Sequence, residues 1–349
     1  MILYRLFLAS LLASTALGSN PCAADSATPR IADPVYARAQ RLVEIEPGRR
    51  MNIYCTGSGS PTVVFDSGLT DATSVWALVQ PAISARTRAC TYDRAGVGFS
   101  EPSKLPGSSG NIVEDLRRLL AQAGVSPPYV LVGHSYGGMN VRLFAHRHPE
   151  DVQGLVLVDP SHEEQSEGFR KLDPRGPSPD EWRQARSQRL QQLRECAAAA
   201  KVGFIPGSQL AEKCSFPRDP QLSEAINDVY QVLFMRPAFQ AAQLGEEESI
   251  FATSADELRT ARAPLGDRPL IVLTRAPFQP GPGETKDLRD ARNQLWVSLH
   301  HDLAALSRNG SHRIVAEAGH YIQIDQPAAV TQAIFDVLDL LQGTRVRAQ

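Results

Sequence analysis

The chain has 349 residues, with 36 Lys or Arg against 38 Asp or Glu, 42% hydrophobic residues and a formal net charge of -2. Twelve Phe, eight Tyr and three Trp supply bulk for a sizeable core, and this balance excludes a disordered chain, which combines low hydrophobicity with high net charge. It also argues against nucleic-acid binding, which draws its affinity from a basic surface that displaces phosphate counterions.

In chain order, Arg5 and the apolar stretch LFLASLLASTALG come first, with no acid before Asp25. The stretch is short of the roughly 20 residues that span a bilayer. A basic start, a short apolar centre and small residues after it describe a secretory signal peptide. Residues 1–24 are therefore expected to be a signal peptide, cleaved after Gly18 or Ala24, followed by a polar leader at 25–40. The mature protein is expected to be secreted or periplasmic, with no membrane partner once the signal is removed. Export makes Cys55, Cys90, Cys196 and Cys214 an even set in an oxidising compartment. None of these pairs has the two-residue spacing of a zinc or redox site, so disulfides are their expected use.

Eight short apolar runs follow: RLVEI, RMNIYCTG, TVVFDSG, RACTYDRAG, YVLVGHS, VQGLVLVDP, PLIVLTR and HRIVAEAGH. They are rich in β-branched residues and closed by Gly, Pro or Asp, as buried strands are. Pro47-Gly48 joins the first two and predicts a hairpin at the sheet edge. Between several of the others lie amphipathic stretches such as NIVEDLRRLLAQAG, where Ile112, Leu116, Leu119 and Leu120 follow helical spacing. This alternation predicts an α/β protein with a mostly parallel sheet and helices on both faces. From about His162 to Arg262 the alternation stops. DEWRQARSQRLQQLREC and SEAINDVYQVLF predict a helical insert at 162–262, packed as a cap over the carboxyl edge of a core formed by 41–161 and 263–343. Trp182, Phe204, Phe234 and Phe239 give the insert apolar bulk that a disordered linker lacks.

The stretch YVLVGHSYGG carries the chemistry. A buried strand runs into Gly133-His134-Ser135-Tyr136-Gly137 and a helical pattern follows, the context of a nucleophile elbow. The glycines are required because the turn is strained and neighbouring backbone approaches closely. A serine needs a base, and the base an orienting acid. His320 is the best base, in the loop between the last predicted strand and the final helix, where this class of sheet carries functional groups. His134 adjoins the serine and is expected to point away. His146 and His148 fall on the following helix, His162 enters the insert, and His300, His301 and His312 read as surface residues. His300, His301 and Asp302 are adjacent and face different sides of a helix, so they make no metal site.

TVVFDSGLTDATSVW, YDRAGVGFSEP, the serine elbow and AGHYIQIDQPAAV, in that order, resemble the α/β-hydrolase superfamily from about Leu42 to Leu341. The resemblance implies an eight-stranded sheet and an oxyanion hole made by the backbone N–H groups of Leu69 and Tyr136. The family often has His-Gly in the first of these turns; here it is Ser67-Gly68, and a backbone contact tolerates the change. Asp93-Arg94 and Gly96-Val97-Gly98 look like the family's structural loop after its fourth strand. The two glycines alone hint at a dinucleotide loop, but Glu101 stands where a third glycine would be. The family places its acid after the sixth or seventh strand, which offers Asp159, or else Glu284 or Asp287. Asp159 is preferred because it ends a buried strand and is clamped by Pro160, whereas Glu284 follows Gly281-Pro282-Gly283. The family's sheet order sets the second strand beside the fourth, implying Cys55–Cys90. Cys196 and Cys214 follow one another across a connection containing Pro206-Gly207 and are expected to pair.

The expected activity is a serine hydrolase acting on a small-molecule carboxylic ester, with Ser135, His320 and Asp159 as triad and no cofactor or metal implied. A serine nucleophile argues against haloalkane dehalogenases and epoxide hydrolases, relatives that use Asp there. One alternative is an amide or peptide hydrolase resembling the proline iminopeptidases, whose cap holds a free amine on carboxylates. Glu246-Glu247-Glu248 would serve that purpose, or would form a solvated acidic helix end. The other alternative is a non-catalytic binding protein on the same scaffold; such proteins usually lack a triad member.

Overall fold

A computed structural model describes residues 29–172, 178–281 and 283–347. The expected signal peptide, Cys22 and the first residues of the leader lie outside the described residues. Among the described residues eight strands form one sheet in the order β1-β2-β4-β3-β5-β6-β7-β8. β1 (Leu42–Glu46) and β2 (Arg49–Thr56) make the expected antiparallel edge hairpin. β3 (Thr62–Asp66) is followed by the short helix α1 (Gln80–Ser84) and by β4 (Ala89–Tyr92), which pairs antiparallel with β2 and parallel with β3. After α2 (Ser109–Ala123) come β5 (Tyr129–His134), α3 (Tyr136–Arg147) and β6 (Val152–Val158), with β5 parallel to both β3 and β6.

Among the described residues six α-helices then intervene before the sheet resumes: α4 (Gln165–Leu172), α5 (Pro179–Val202), α6 (Gln209–Cys214), α7 (Glu224–Phe234), α8 (Pro237–Ser249) and α9 (Thr253–Ala261). β7 (Leu270–Thr274), α10 (Lys286–Ala304), β8 (Gly310–Ile314), α11 (Ile322–Asp325) and α12 (Pro327–Arg347) complete the chain, with β7 parallel to β6 and β8.

Two apolar cores flank the sheet because successive strand residues point to opposite faces. Val64, Leu131, Leu155 and Val272 meet Ile112, Leu116, Leu119 and Leu120 of α2, Phe144 of α3 and Leu303 of α10 on one face. Val63, Phe65, Val130, Val132 and Ile271 meet Ile83 of α1 and Val330, Ile334 and Val337 of α12 on the other. Such two-sided burial is why the central strands read as nearly unbroken apolar runs. The stripe on α2 is the one its helical spacing predicts. That helix stops at Gly124, whose left-handed φ of 69° lets its N–H reach the carbonyls of Leu120 and Ala121.

Within the intervening helices, α5 starts from a capping box between Ser178 and Glu181 and packs along α8. α9 packs on α2 and α3. Cys55 and Cys90 are cross-strand partners and form a disulfide, and a second disulfide, Cys196–Cys214, ties α5 to α6. The leader differs from expectation. Ile31 and Tyr36 are buried with Ile226, Tyr230 and Leu233 of α7, and Ile31 exchanges backbone hydrogen bonds with Gln221 and Ser223. Arg30, Asp33, Arg38 and Gln40 make the segment read as polar, while Ile31 and Tyr36, with Val35 and Ala37 packed beside them, anchor it.

Candidate active site

β5 ends at His134 and α3 begins at Tyr136, so the whole turn between them is Ser135. Its φ of 52° and ψ of -118° lie where side chains with a Cβ rarely go. The backbone around it holds that conformation: Ser135 N–H donates to Val158 O at 3.2 Å, while Ser135 O accepts from Gly138 N at 3.0 Å and Ser161 N at 2.9 Å. There is no room for larger residues on either side. A Cβ on Gly133 would stand 2.4 Å from Gly137 O, and one on Gly137 would stand 2.3 Å from Asp66 O. Both glycines of the motif are therefore set by close backbone approach.

Asp159 follows β6 directly, next to β5, and is fully buried. Its Oδ2 lies 2.6 Å from Nδ1 of His320, while Oδ1 accepts from Trp296 Nε1 at 2.9 Å and from the Arg275 amide at 3.2 Å. Burial alone would raise the pKa of this carboxyl. The hydrogen bond and charge of His320, with help from His300 and Trp296, outweigh burial and hold it below the ordinary carboxylate value.

His320 is partly open, its side chain 26% exposed. Its backbone oxygen accepts from Nε2 of His134 at 2.9 Å, and the two rings lie 4.7 Å apart. Because a carbonyl only accepts, His134 carries its proton on Nε2. Complete burial pushes its pKa far below the ordinary value, so it is neutral. The residue beside Ser135 thus braces the backbone of His320.

The alternative acids sit elsewhere. Glu284 accepts from the Gly281 amide at 2.9 Å and from Arg292 at 2.5 Å, while Asp287 is exposed in the first turn of α10. Among the described residues neither is hydrogen-bonded to His320. The structure brings Asp159 to His320 and gives Glu284 a different partner.

His300 corrects its sequence reading as a surface residue. It is fully buried, with Nδ1 2.5 Å from Thr274 Oγ1 and Nε2 3.0 Å from Pro160 O, and its ring packs on Trp296. It supports the segment that carries Asp159. Burial pushes its pKa down to about 4.

The turn after β3 holds Leu69. Among the described residues, neither the Leu69 nor the Tyr136 amide donates to a protein acceptor. The turn is gripped by Arg94, a buried guanidinium that donates to Asp66 Oδ1 (2.8 Å), Ser67 O (2.7 Å) and Gly68 O (2.5 Å). The remaining face of Arg94 meets Glu246 of α8, with Nε to Oε1 at 2.7 Å and Nη2 to Oε2 at 3.0 Å. Glu246 Oε2 also accepts from the Thr70 amide at 2.7 Å. For Glu246 this corrects both readings, since it is neither a solvated helix end nor a free anchor for an amine. Its carboxylate is buried and occupied, while Glu248 at the helix end is partly exposed, as the solvated reading expects, and pairs with Arg194 at 2.6 Å. Asp93 accepts from Asn52 and from the amides of Thr73 and Phe99, so the Asp93–Gly98 loop is an internal brace.

His148, Glu150 and Asp151 place ligand-type atoms within 4.8 Å of one another. They precede β6, at the amino end of the parallel strands, whereas Ser135 follows the carboxyl end of β5, and they play no part in this site.

A family model for the alpha/beta hydrolase fold matches residues 61–256. The chain belongs to the α/β-hydrolase fold family. Among relatives of this α/β hydrolase, the uncharacterized protein YqjL of Bacillus subtilis strain 168 is 27% identical over 281 residues, 80% of this chain and 85% of its own length. An AB hydrolase superfamily protein of Gibberella zeae is 32% identical over 107 residues, 30% of this chain and 33% of its own length. A thermophilic esterase from Thermogutta terrifontis superposes with a TM-score of 0.57 at 22% identity, covering 86% of this chain and 98% of its own. The haloalkane dehalogenase DbeA-M1 loop variant from Bradyrhizobium elkanii does so with a TM-score of 0.61 at 17% identity, covering 88% and 98%. At such identities the solved structures share the fold alone. Sequence reasoning missed Trp296, His134, Arg94 and Glu246 as supports of the α/β-hydrolase site. The Asp-Arg pair within YDRAGVGFSEP was the one available signal, since a charged pair at the end of a buried strand needs partners.

Proposed function

We propose that this α/β hydrolase is an exported serine hydrolase that cleaves carboxylic esters through an acyl-enzyme, with Ser135, His320 and Asp159 as its triad. The observation that carries this reading is the 2.6 Å contact between His320 Nδ1 and Asp159 Oδ2, made on the strand next to the strained Ser135 turn. With Nδ1 directed at the carboxylate, Nε2 of His320 takes the Ser135 proton as Oγ bonds to the ester carbonyl carbon. The carbonyl oxygen becomes an oxyanion, received by the Leu69 and Tyr136 amides. Each such donor is worth about 2.7–4 kcal/mol to the transition state. The imidazolium, stabilised by Asp159, returns its proton to the departing alkoxide as the C–O bond breaks. Water, deprotonated by His320, then releases the carboxylic acid and restores Ser135.

A serine at the elbow supports ester cleavage over dehalogenation and epoxide opening, which proceed from an Asp there. The occupied carboxylate of Glu246 removes the first anchor an aminopeptidase would offer a free amine. The helices of 162–262 serve as the cap on a core of 41–161 and 263–343. The two disulfides support an extracellular or periplasmic setting.

The test is a panel of p-nitrophenyl esters of increasing acyl length set against aminoacyl anilides, with fluorophosphonate labelling of the wild type and Ser135→Ala. Ester turnover and labelling that both vanish in the variant support the proposal. Anilide turnover exceeding ester turnover moves it to the amidases, and a wild type that neither turns over nor labels is a binding protein.

A further inference from the structure

The turn that carries Leu69 is held by a residue from outside the sheet. An amide N–H and the carbonyl preceding it belong to one planar trans unit and point in opposite directions. The Leu69 N–H and the Gly68 C=O are such a unit. Arg94 Nη2 grips Gly68 O at 2.5 Å and Nη1 grips Ser67 O at 2.7 Å, so the Leu69 N–H is turned to the opposite side. On the far side of Leu69, the next amide, Thr70 N–H, is held by Glu246 at 2.7 Å. The left-handed φ of 58° at Thr70, unusual for a β-branched residue, shows how far this turn departs from relaxed backbone.

Glu246 is also what keeps Arg94 in place. Arg94 and Glu246 are each nearly inaccessible, with side chains 3% exposed, and among the described residues Arg94 forms its ion pairs with Glu246 and Asp66. Asp66 is satisfied in addition by Tyr92 at 2.7 Å. Removing Glu246 leaves a buried guanidinium Nε and the Thr70 amide without acceptors, and a group in that state moves to find one or admits water. Glu246 lies on α8, which packs on α5 among the helices between β6 and β7. Gly107 fits tightly beneath it, since a Cβ there would stand 2.8 Å from the Glu246 amide, so the helix has little freedom to shift along the core.

We propose that Arg94 and Glu246 are positioning residues for the oxyanion donor Leu69, and that the helical insert completes the oxyanion hole through Glu246. This rests on the ester-hydrolase reading. A sheet with its triad intact but with α8 displaced would bind ester and form the tetrahedral adduct poorly. Docking of the insert and competence of the hole are one structural event.

The experiment compares Glu246→Gln and Glu246→Ala with the wild type, with Glu248→Gln on the same helix as control and Ser135→Ala as the inactive reference. The readouts are kcat and KM on p-nitrophenyl butyrate, Ki for an alkyl trifluoromethyl ketone that forms a tetrahedral oxyanion adduct, and the melting temperature. The Glu246 variants are expected to lose about tenfold or more in kcat, approaching the roughly 10²–10³ cost of losing a whole oxyanion donor. KM should stay within threefold and Ki should rise in step with the loss of kcat/KM. Glu248→Gln should match the wild type. A merely structural role would change the melting temperature and leave the ratio of Ki to KM in place. If Glu246→Ala does not fold, Glu246→Gln decides, because it keeps the volume and an acceptor for Thr70 while removing the charge opposite Arg94. A folded Glu246 variant with kcat and Ki within twofold of wild type overturns the proposal. Turnover that depends on Ser135 but not on Glu246 sinks this inference alone, whereas a wild type without Ser135-dependent turnover sinks the ester-hydrolase reading and this inference with it.

Discussion

Asp159 Oδ2 and His320 Nδ1 stand 2.6 Å apart although 161 residues separate them in the chain. The carboxylate is fully buried and holds three donors, whereas His320 is partly open. An acid so placed can fix one imidazole tautomer and stabilise its charge without being reached by water.

Asp159→Asn is therefore expected to lower ester turnover on the order of 10⁴-fold, the magnitude for this role in serine proteases. Glu284→Gln and Asp287→Asn should stay within a few-fold of wild type on the same ester. A near-normal rate for Asp159→Asn with collapse in either of the others would transfer the role to the loop after β7.

Ser135 is strained, and strain at a functional turn costs about 1–3 kcal/mol. Glycine adopts positive φ freely but carries an entropic penalty of about 0.5–1 kcal/mol. Ser135→Gly should thus raise stability by roughly 1 kcal/mol while abolishing turnover and probe labelling, as read by denaturant unfolding beside activity. Ser135→Ala keeps the Cβ and should be inactive without that gain; a destabilised glycine variant would show that the turn is not under strain.

Stability should fall as the pH drops from about 6.5 toward about 4. His300 has its pKa pushed down to about 4 by burial, against an ordinary 6.5. In that window the unfolded chain takes up a proton that the folded one refuses, so stability declines with acidity and is fully present above 6.5. The shift corresponds to a few kcal/mol, on the order of 3, at 1.36 kcal/mol per pH unit. Asp71 acts in the opposite sense, since burial raises it from 3.8 to about 6 and the folded chain takes up its proton first. His134, also pushed well down by burial, adds to the first effect. The melting temperature should be clearly lower at pH 4.5 than at pH 7.5, and His300→Gln should flatten the difference.

Each disulfide closes a loop in the unfolded chain and should contribute about 2–4 kcal/mol. Cys196→Ser with Cys214→Ser should lower the melting temperature and leave the Ser135 chemistry intact, because α5 and α6 do not carry the triad. Peptide mapping without reductant should recover both Cys55–Cys90 and Cys196–Cys214; four free thiols in exported protein would contradict the pairing.

Much of this molecule is written in short-range pattern. The eight strands, the stripe Ile112, Leu116, Leu119 and Leu120 on α2, and the Pro47-Gly48 hairpin follow from periodicity and turn chemistry, which act over a few residues. The need for Gly133 and Gly137 around Ser135 is equally local, a matter of backbone packing within one turn. What sequence could not decide is which distant groups meet. Leu and Val announce burial by themselves, but His300 reads the same on a buried helix face as on an exposed one, and only the packing of α10 against β7 put it beneath Asp159. Glu246 reads as part of an acidic run until α8 places it against Arg94, 152 residues earlier in the chain. Ile31 and Tyr36 are two apolar residues in a polar leader until α7 covers them. Apolar burial is non-directional and leaves its mark in composition and period, whereas a buried charge is tolerated only by a specific partner, and that partner is chosen by the tertiary fold.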